Sequence, residues 1–147
     1  MAILDIIKAP NVLLNQTCKP VSFFDDEVRL LVKNMFDTVS VNKGIGLAAP
    51  QVGFLQRIFI CFYDSLSLVF VNPVIECFGD RVIQEEGCLS IPDILLNVIR
   101  YSHVKVTAFD ENGVEFTNTY DGMLAIIIQH ENDHLNGILI TDKAKNN

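Results

Sequence analysis

MLAIIIQHENDHLN, residues 123–136, is the stretch that decides the fold. It follows Asp121-Gly122 and ends before Gly137, and glycine is favoured just past the end of a helix. Its first two turns are apolar on every side, which predicts a helix buried in the middle of a domain. We therefore expect an α+β fold in which antiparallel β-sheets pack around this central helix, with another helix near the N-terminus.

The second half of this helix carries an HExxH pattern, which runs from His130 through Glu131 to His134. Residues four apart lie on one helix face, so the two imidazoles can bind the same metal ion. Glu131 can then serve as the general base toward a water at that ion. The alternative is a pair of ordinary core histidines, but polar side chains on a buried helix need partners, and a metal supplies them.

A catalytic metal of this type needs a third protein ligand and one open position. No His or Glu follows His134, so the third ligand must lie upstream. His103 and Cys88 are both candidates. Cys88 is favoured because a thiolate is a strong anionic ligand and because the neighbouring Gly87 allows close approach of the backbone.

The rest of the chain predicts one more helix and several strands. Asp25 or Asp26 can cap a helix that runs to about Val39, with apolar residues at helical spacing. Asn72-Pro73 is expected to interrupt the strands. The predicted strands lie at 57–63, 68–71, 81–84, 104–109 and 114–120, with a hairpin turn at 110–113.

The overall composition favours one folded domain spanning 1–147. Half of the residues are hydrophobic, which excludes a disordered chain. The net charge of -7 makes nucleic acid a poor partner. We find neither a signal-peptide pattern nor an apolar run long enough for a bilayer, so we expect a cytoplasmic protein without membrane contact. Cys61 and Cys77 are expected to be small buried hydrophobic residues.

Three segments together resemble the peptide deformylase family. They are Gly44-Ile45-Gly46-Leu47-Ala48-Ala49-Pro50-Gln51, Glu86-Gly87-Cys88-Leu89-Ser90 and Gln129-His130-Glu131-Asn132-Asp133-His134-Leu135, in the order of the family's motifs. The likeness extends over nearly the whole chain, to about Asp142. It implies hydrolysis of the formyl group from N-formylmethionyl nascent peptides, with release of formate, in a bacterial or bacterial-host cytoplasm.

The resemblance also implies roles for individual residues. Cys88, His130 and His134 would bind one divalent metal ion, natively ferrous iron, for which zinc, nickel or cobalt can substitute. Glu131 would be the general base, and the side-chain amide of Gln51 and the backbone N–H of Leu89 would stabilise the oxyanion. The expected substrate-binding residues are Ile45, Gly46, Gly87, Glu86, Ile126 and Ile127, with Met123 as a further lining residue and Arg100 supporting Glu86 through an ion pair.

Two features depart from many members of the family. Ile94, Leu95 and Leu96 occupy a stretch where bacterial members often carry an arginine that touches the peptide. The chain resembles a short form without the C-terminal helical extension, so we expect a monomer with weak ribosome contact. The alternatives are another small metallo-amidase or peptidase, or a non-catalytic domain with a metal site. Intact Glu131 and Gln51 argue against the non-catalytic alternative.

Overall fold

The computed structural model describes residues 2–144 and has the expected α+β architecture. One antiparallel sheet has the strand order β1-β2-β3-β4-β5. Its strands are β1 (Gly46–Ala48), β2 (Ile58–Tyr63), β3 (Leu66–Cys88), β4 (Ile91–Phe109) and β5 (Glu115–Asp121), and the helices are α1 (Asp26–Val41), α2 (Gly122–Leu135) and α3 (Ile140–Lys143). None of the helices in residues 2–144 has the length and apolar character needed to cross a membrane.

Helix α1 begins where the sequence predicts. The side chain of Asp25 accepts a hydrogen bond from the backbone N–H of Val28, which satisfies one of the free donors of the first turn. The buried residues of α1 include Val28, Leu31, Val32, Met35 and Val39, a stripe at helical spacing. This stripe packs with Ile58 and Ile60 of β2 in one of the hydrophobic clusters. The helix therefore supports the sheet from the side of β1 and β2.

Asn72-Pro73 does not interrupt β3, contrary to the prediction. The pairing of β3 with β4 shifts register between Val71 and Val74, and Asn72 adopts a positive φ of 52°. The Asn72 side chain bonds to both backbone groups of Val21, accepting from N at 2.8 Å and donating to O at 2.9 Å. These bonds stabilise a bulge, so the chain bends there and continues in the same strand. The strands predicted at 68–71 and 81–84 are parts of β3.

Cys77 is exposed, so the prediction that it is buried was wrong. The residues from 76 to 81 are all exposed, because this part of β3 extends beyond the core and has solvent on both faces. Cys61 is confirmed as a buried residue, with no exposed surface. Burial raises the pKa of its thiol well above the usual value, an effect to which the charge of Glu131 adds.

Helix α2 is confirmed as the buried centre of the domain. Ala125, Ile127, Ile128 and Leu135 lie in the main cluster with core residues of β2, β3 and β4. The side chain of Gln129 also fastens the helix to β4: its Oε1 accepts from the Tyr101 N–H at 2.9 Å, and its Nε2 donates to the Tyr101 carbonyl at 2.8 Å. This pair of hydrogen bonds limits rotation of α2 and so fixes the direction of the next residue, His130.

Candidate active site

The sulfur and nitrogen atoms of Cys88, His130 and His134 converge. One ligand atom from each side chain lies within 4.8 Å of the others. Cys88 is the last residue of β3, and its Sγ lies 3.4 Å from Nε2 of His134. His103 lies elsewhere, with its ring against Phe78. The geometry therefore favours Cys88 over His103 as the third residue of this cluster.

A buried ion-pair network holds His130 from behind. Arg100 donates two hydrogen bonds to Glu86, each of 2.8 Å, and one of 2.6 Å to Asp133. Glu86 in turn lies 2.8 Å from Nδ1 of His130. Burial alone would raise the pKa of Glu86, but its bonds to Arg100 and His130 lower it below the ordinary value. An ionised Glu86 keeps a proton on Nδ1, which leaves Nε2 of His130 free for a cation.

The two histidines differ in their affinity for a proton. Burial opposes charge on His130, but the charge of Glu131 and the hydrogen bonds to Cys88 and Glu86 raise its pKa to about 10. Burial lowers the pKa of His134, and the charges of His130 and Arg100 lower it further. His134 is thus a neutral imidazole, whereas His130 lies among negative groups that favour a positive charge at its ring. A divalent metal ion fits this donor set, since it would replace the proton on Nε2.

Glu131 is buried beside the cluster. Its Oε2 lies 3.9 Å from Nε2 of His130, and its Oε1 has no hydrogen-bond partner among the residues described. Burial raises its pKa to about 7, although the charge of His130 opposes this shift. A Cβ on Gly46 would lie only 2.6 Å from Oε2, so glycine at this position leaves room for the carboxylate.

Gln51 lies beside Cys88, in a 3-10 helix formed by Ala49–Val52. Its Oε1 accepts from the backbone N–H of Ala48 at 2.9 Å, and its Nε2 lies 3.6 Å from Cys88 Sγ and 3.2 Å from Ser90 Oγ. Leu89 belongs to the two-residue turn that joins β3 to β4. The Gln51 amide and the Leu89 backbone therefore flank the same thiol.

A cleft with a volume of about 770 Å³ opens over this site. All six residues expected to bind substrate line it, as does Met123. The oxygens of Glu86, however, are hydrogen-bonded to Arg100 and His130, so Glu86 is better placed to orient the His130 ring than to bind substrate. Ile94 and Leu95 also line the cleft, whereas Leu96 packs into a separate hydrophobic cluster.

Sequence reasoning missed three polar residues that orient the site: Ser90, Gln129 and Asp133. All three lie inside the motif segments quoted above: Gln129 and Asp133 adjoin predicted metal ligands, and Ser90 follows Leu89, the predicted oxyanion donor. The signal for them was their position next to functional residues on elements expected to be buried, where a polar side chain needs a partner.

Comparison of the chain with protein families and curated proteins supports the family resemblance found in the sequence. The model of the polypeptide deformylase family matches residues 3–147. A curated relative, peptide deformylase 1 of Pseudomonas syringae pv. tomato, is 44% identical over 150 residues, which cover 99% of this chain and 89% of the relative.

Solved structures agree as well. The peptide deformylase of Thermotoga maritima superposes with a TM-score of 0.97 at 34% identity, covering 99% of this chain and 100% of that one. A peptide deformylase of Synechococcus elongatus in complex with actinonin gives a TM-score of 0.95 at 43% identity, covering 97% of this chain and 79% of that one. The chain belongs to the polypeptide deformylase family.

Proposed function

We propose that Cys88, His130 and His134 hold one divalent metal ion at which this enzyme removes the formyl group from N-formylmethionyl peptides. Metal-dependent deformylation is the activity of the family to which the chain belongs. The observation that supports the assignment to these residues is the convergence of one sulfur and two imidazoles beside a buried carboxylate on the wall of a cleft. A structural metal site would need neither the carboxylate nor the cleft.

The bound ion would polarise the formyl carbonyl and lower the pKa of a water molecule. The protein contributes the fixed positions around it. Because Glu86 accepts from His130 Nδ1, the imidazole presents Nε2 to the cleft in a single orientation. We propose ferrous iron as the native metal, with zinc, nickel or cobalt as substitutes, since divalent affinities of such a donor set overlap.

Glu131 is the proposed general base and then the general acid. Its Oε1, which has no hydrogen-bond partner within residues 2–144, is available to accept the proton of the attacking water. The same carboxyl can return that proton to the amide nitrogen as the C–N bond breaks. Formate and a free amino terminus result. A carboxyl group whose pKa lies near neutrality is suited to both transfers.

Gln51 and Leu89 are the proposed oxyanion donors. As water attacks, negative charge grows on the formyl oxygen, and N–H groups that already point at this position stabilise it without reorganisation. Nε2 of Gln51 points to the thiol side of the site, and Leu89 follows Cys88 directly. Removing one such donor typically lowers the rate by ~10²–10³.

The peptide is proposed to lie along β1. This strand is the edge of the sheet and pairs only with β2 among the described strands, so its other edge can accept a peptide in extended conformation. Ile45 and Gly46 both line the cleft at this edge. Ile126 and Ile127 offer an apolar surface for the methionine side chain.

The decisive test is formate release from formyl-Met-Ala-Ser by protein loaded anaerobically with Fe²⁺. Glu131→Gln should keep the metal and lose at least ~10²-fold in kcat, because only the proton transfers are removed. Glu76→Gln, an exposed glutamate on β3, is the matched control and should keep the rate. Full activity of Glu131→Gln would contradict the proposed base.

Actinonin offers a second test. It is bound in the structure of the Synechococcus elongatus relative, and we expect it to inhibit this enzyme too. Cytoplasmic location, weak ribosome contact and a monomeric state stay predictions. Cell fractionation, cosedimentation with ribosomes and analytical ultracentrifugation test them.

A further inference from the structure

The hydroxyl of Ser90 is the feature from which we draw a new inference, which rests on the proposed role of Gln51. Ser90 has no exposed surface and Gln51 is only 2% exposed, so both side chains depend mainly on protein partners for their hydrogen bonds. Nε2 of Gln51 donates to Ser90 Oγ at 3.2 Å.

The Gln51 amide is held at both of its ends. Oε1 accepts from the Ala48 N–H at 2.9 Å, which excludes the flipped amide because that rotamer would place NH₂ against another donor. The two N–H groups of an amide point in different directions. When one N–H group is bonded to Ser90, the other is directed toward Cys88 Sγ, which lies 3.6 Å from Nε2. This is the side of the site where the formyl oxygen would lie.

The backbones of both residues are anchored by one segment. The N–H of Ile7 donates to the carbonyl of Gln51 at 2.7 Å, and the N–H of Ala9 donates to the carbonyl of Ser90 at 2.8 Å. Two residues that lie 39 positions apart in sequence are thereby fixed to the same stretch of chain. The distance between the hydroxyl and the amide is thus set by the fold.

We propose that Ser90 is a positioning residue that orients the Gln51 amide toward the developing oxyanion. Without the hydroxyl, the amide keeps its bond to Ala48 and its long contact with Cys88, but one N–H loses its acceptor and the amide group is held less firmly. The proton transfers and the binding of the peptide by β1 do not depend on this hydroxyl. The effect should therefore fall on kcat and not on KM.

Ser90→Thr and Ser90→Val test this with side chains of the same shape. Both add the same bulk at a buried position, but only threonine keeps a hydroxyl. We expect kcat of Ser90→Val to be about tenfold below that of Ser90→Thr, with similar KM for the two variants. A loss of this size lies between the effect of removing one hydrogen bond and the effect of removing an oxyanion donor. Ser102→Ala, whose hydroxyl bonds to Asp80 and His103, is the control and should keep the wild-type rate.

A double-mutant cycle separates positioning from a structural role. In a Gln51→Ala background, Ser90→Val should lower kcat no further than Ser90→Thr, because the group that Ser90 orients is gone. Equal kcat for the two Ser90 variants in the wild-type background, or the same tenfold difference in the Gln51→Ala background, would overturn the proposal.

Metal-free protein provides a readout independent of turnover. In ¹⁵N-labelled protein, the side-chain amide protons of Gln51 should exchange slowly in the wild type and faster once the hydroxyl is removed by Ser90→Ala, a variant that adds no bulk. Unchanged exchange would refute the inference even if the larger variants do not fold. If Gln51→Ala keeps the wild-type rate, the proposed oxyanion role fails, while the exchange experiment still decides whether Ser90 holds the amide.

Discussion

Replacing Arg100 with glutamine should destabilise the protein severely. Arg100 is 2% exposed, and it bonds to Glu86 through two nitrogens and to Asp133 through a third. Its removal leaves the buried carboxylate of Glu86 without its guanidinium and leaves Asp133 with only the partly exposed Lys143 as a cation partner among the residues described. Breaking a buried ion pair in this way typically costs about 3–5 kcal/mol. For a chain of this size, roughly 2–4 °C is lost per kcal/mol, so the melting temperature should fall by roughly 10 °C.

Urea unfolding of metal-free protein measures this free energy directly. Arg81→Gln is the control, because Arg81 is exposed on the same pair of strands and its side chain contacts the hydroxyl and ring of Tyr101. This variant should change the free energy of unfolding by less than about 0.5 kcal/mol. The difference between wild type and Arg100→Gln should also shrink at acid pH. The folded pKa of Glu86 is lowered, so its stabilising contribution is present above its unfolded pKa, near 4.5, and is lost as pH falls through the folded value. A loss below about 1 kcal/mol at pH 7 would refute this account of the network.

Three further predictions concern the glycine beside the base and the cysteines. Gly46→Ala should lower kcat by ~10², because its Cβ would displace the Glu131 carboxylate, whereas Gly87→Ala meets only a flexible side-chain end at 3.2 Å and should cost far less; steady-state kinetics compares them. Burial, opposed by the nearby positive charge of Arg57, raises the pKa of Cys18 to about 11. The contribution of the buried thiol to stability is therefore complete below pH 9 and is lost as pH rises to about 11. Urea unfolding at pH 8 and pH 11 should show a smaller loss of stability with pH in Cys18→Ala than in the wild type. Cys77 should react with a thiol reagent in the native protein, whereas Cys18 should react only after unfolding, as mass spectrometry can show.

The parts of the fold set by local pattern could be predicted from the sequence. The HExxH helix lies at Gly122–Leu135, close to its predicted limits, because its apolar turns and Gly137 are local signals. Helix α1 begins at Asp26 because Asp25 caps it. The strand bounds of the extended β3–β4 pair could not be predicted, since a bulge at Asn72 depends on a hydrogen bond to Val21, which is distant in sequence.

The residues of the candidate site also fall into those that local sequence patterns predict and those that they do not. His130, Glu131 and His134 follow from helical periodicity alone, whereas spacing left His103 and Cys88 open until the fold showed which of them lies near the helix. The prediction that Cys77 is buried was wrong because residue type does not reveal that a strand extends beyond the core. The orienting role of Ser90 depends on a contact across 39 residues, which no local pattern encodes.

The placement of the proposed metal ligands constrains when the site can form during synthesis. Cys88 and His134 are separated by 46 residues, and α2 carries both histidines and Glu131. A growing chain therefore presents Cys88 first and completes the proposed donor set only when His134 has emerged from the ribosome. The three donors should accordingly come together only when α2 docks into the sheet, so a chain that stops before α2 offers the ion just one of them.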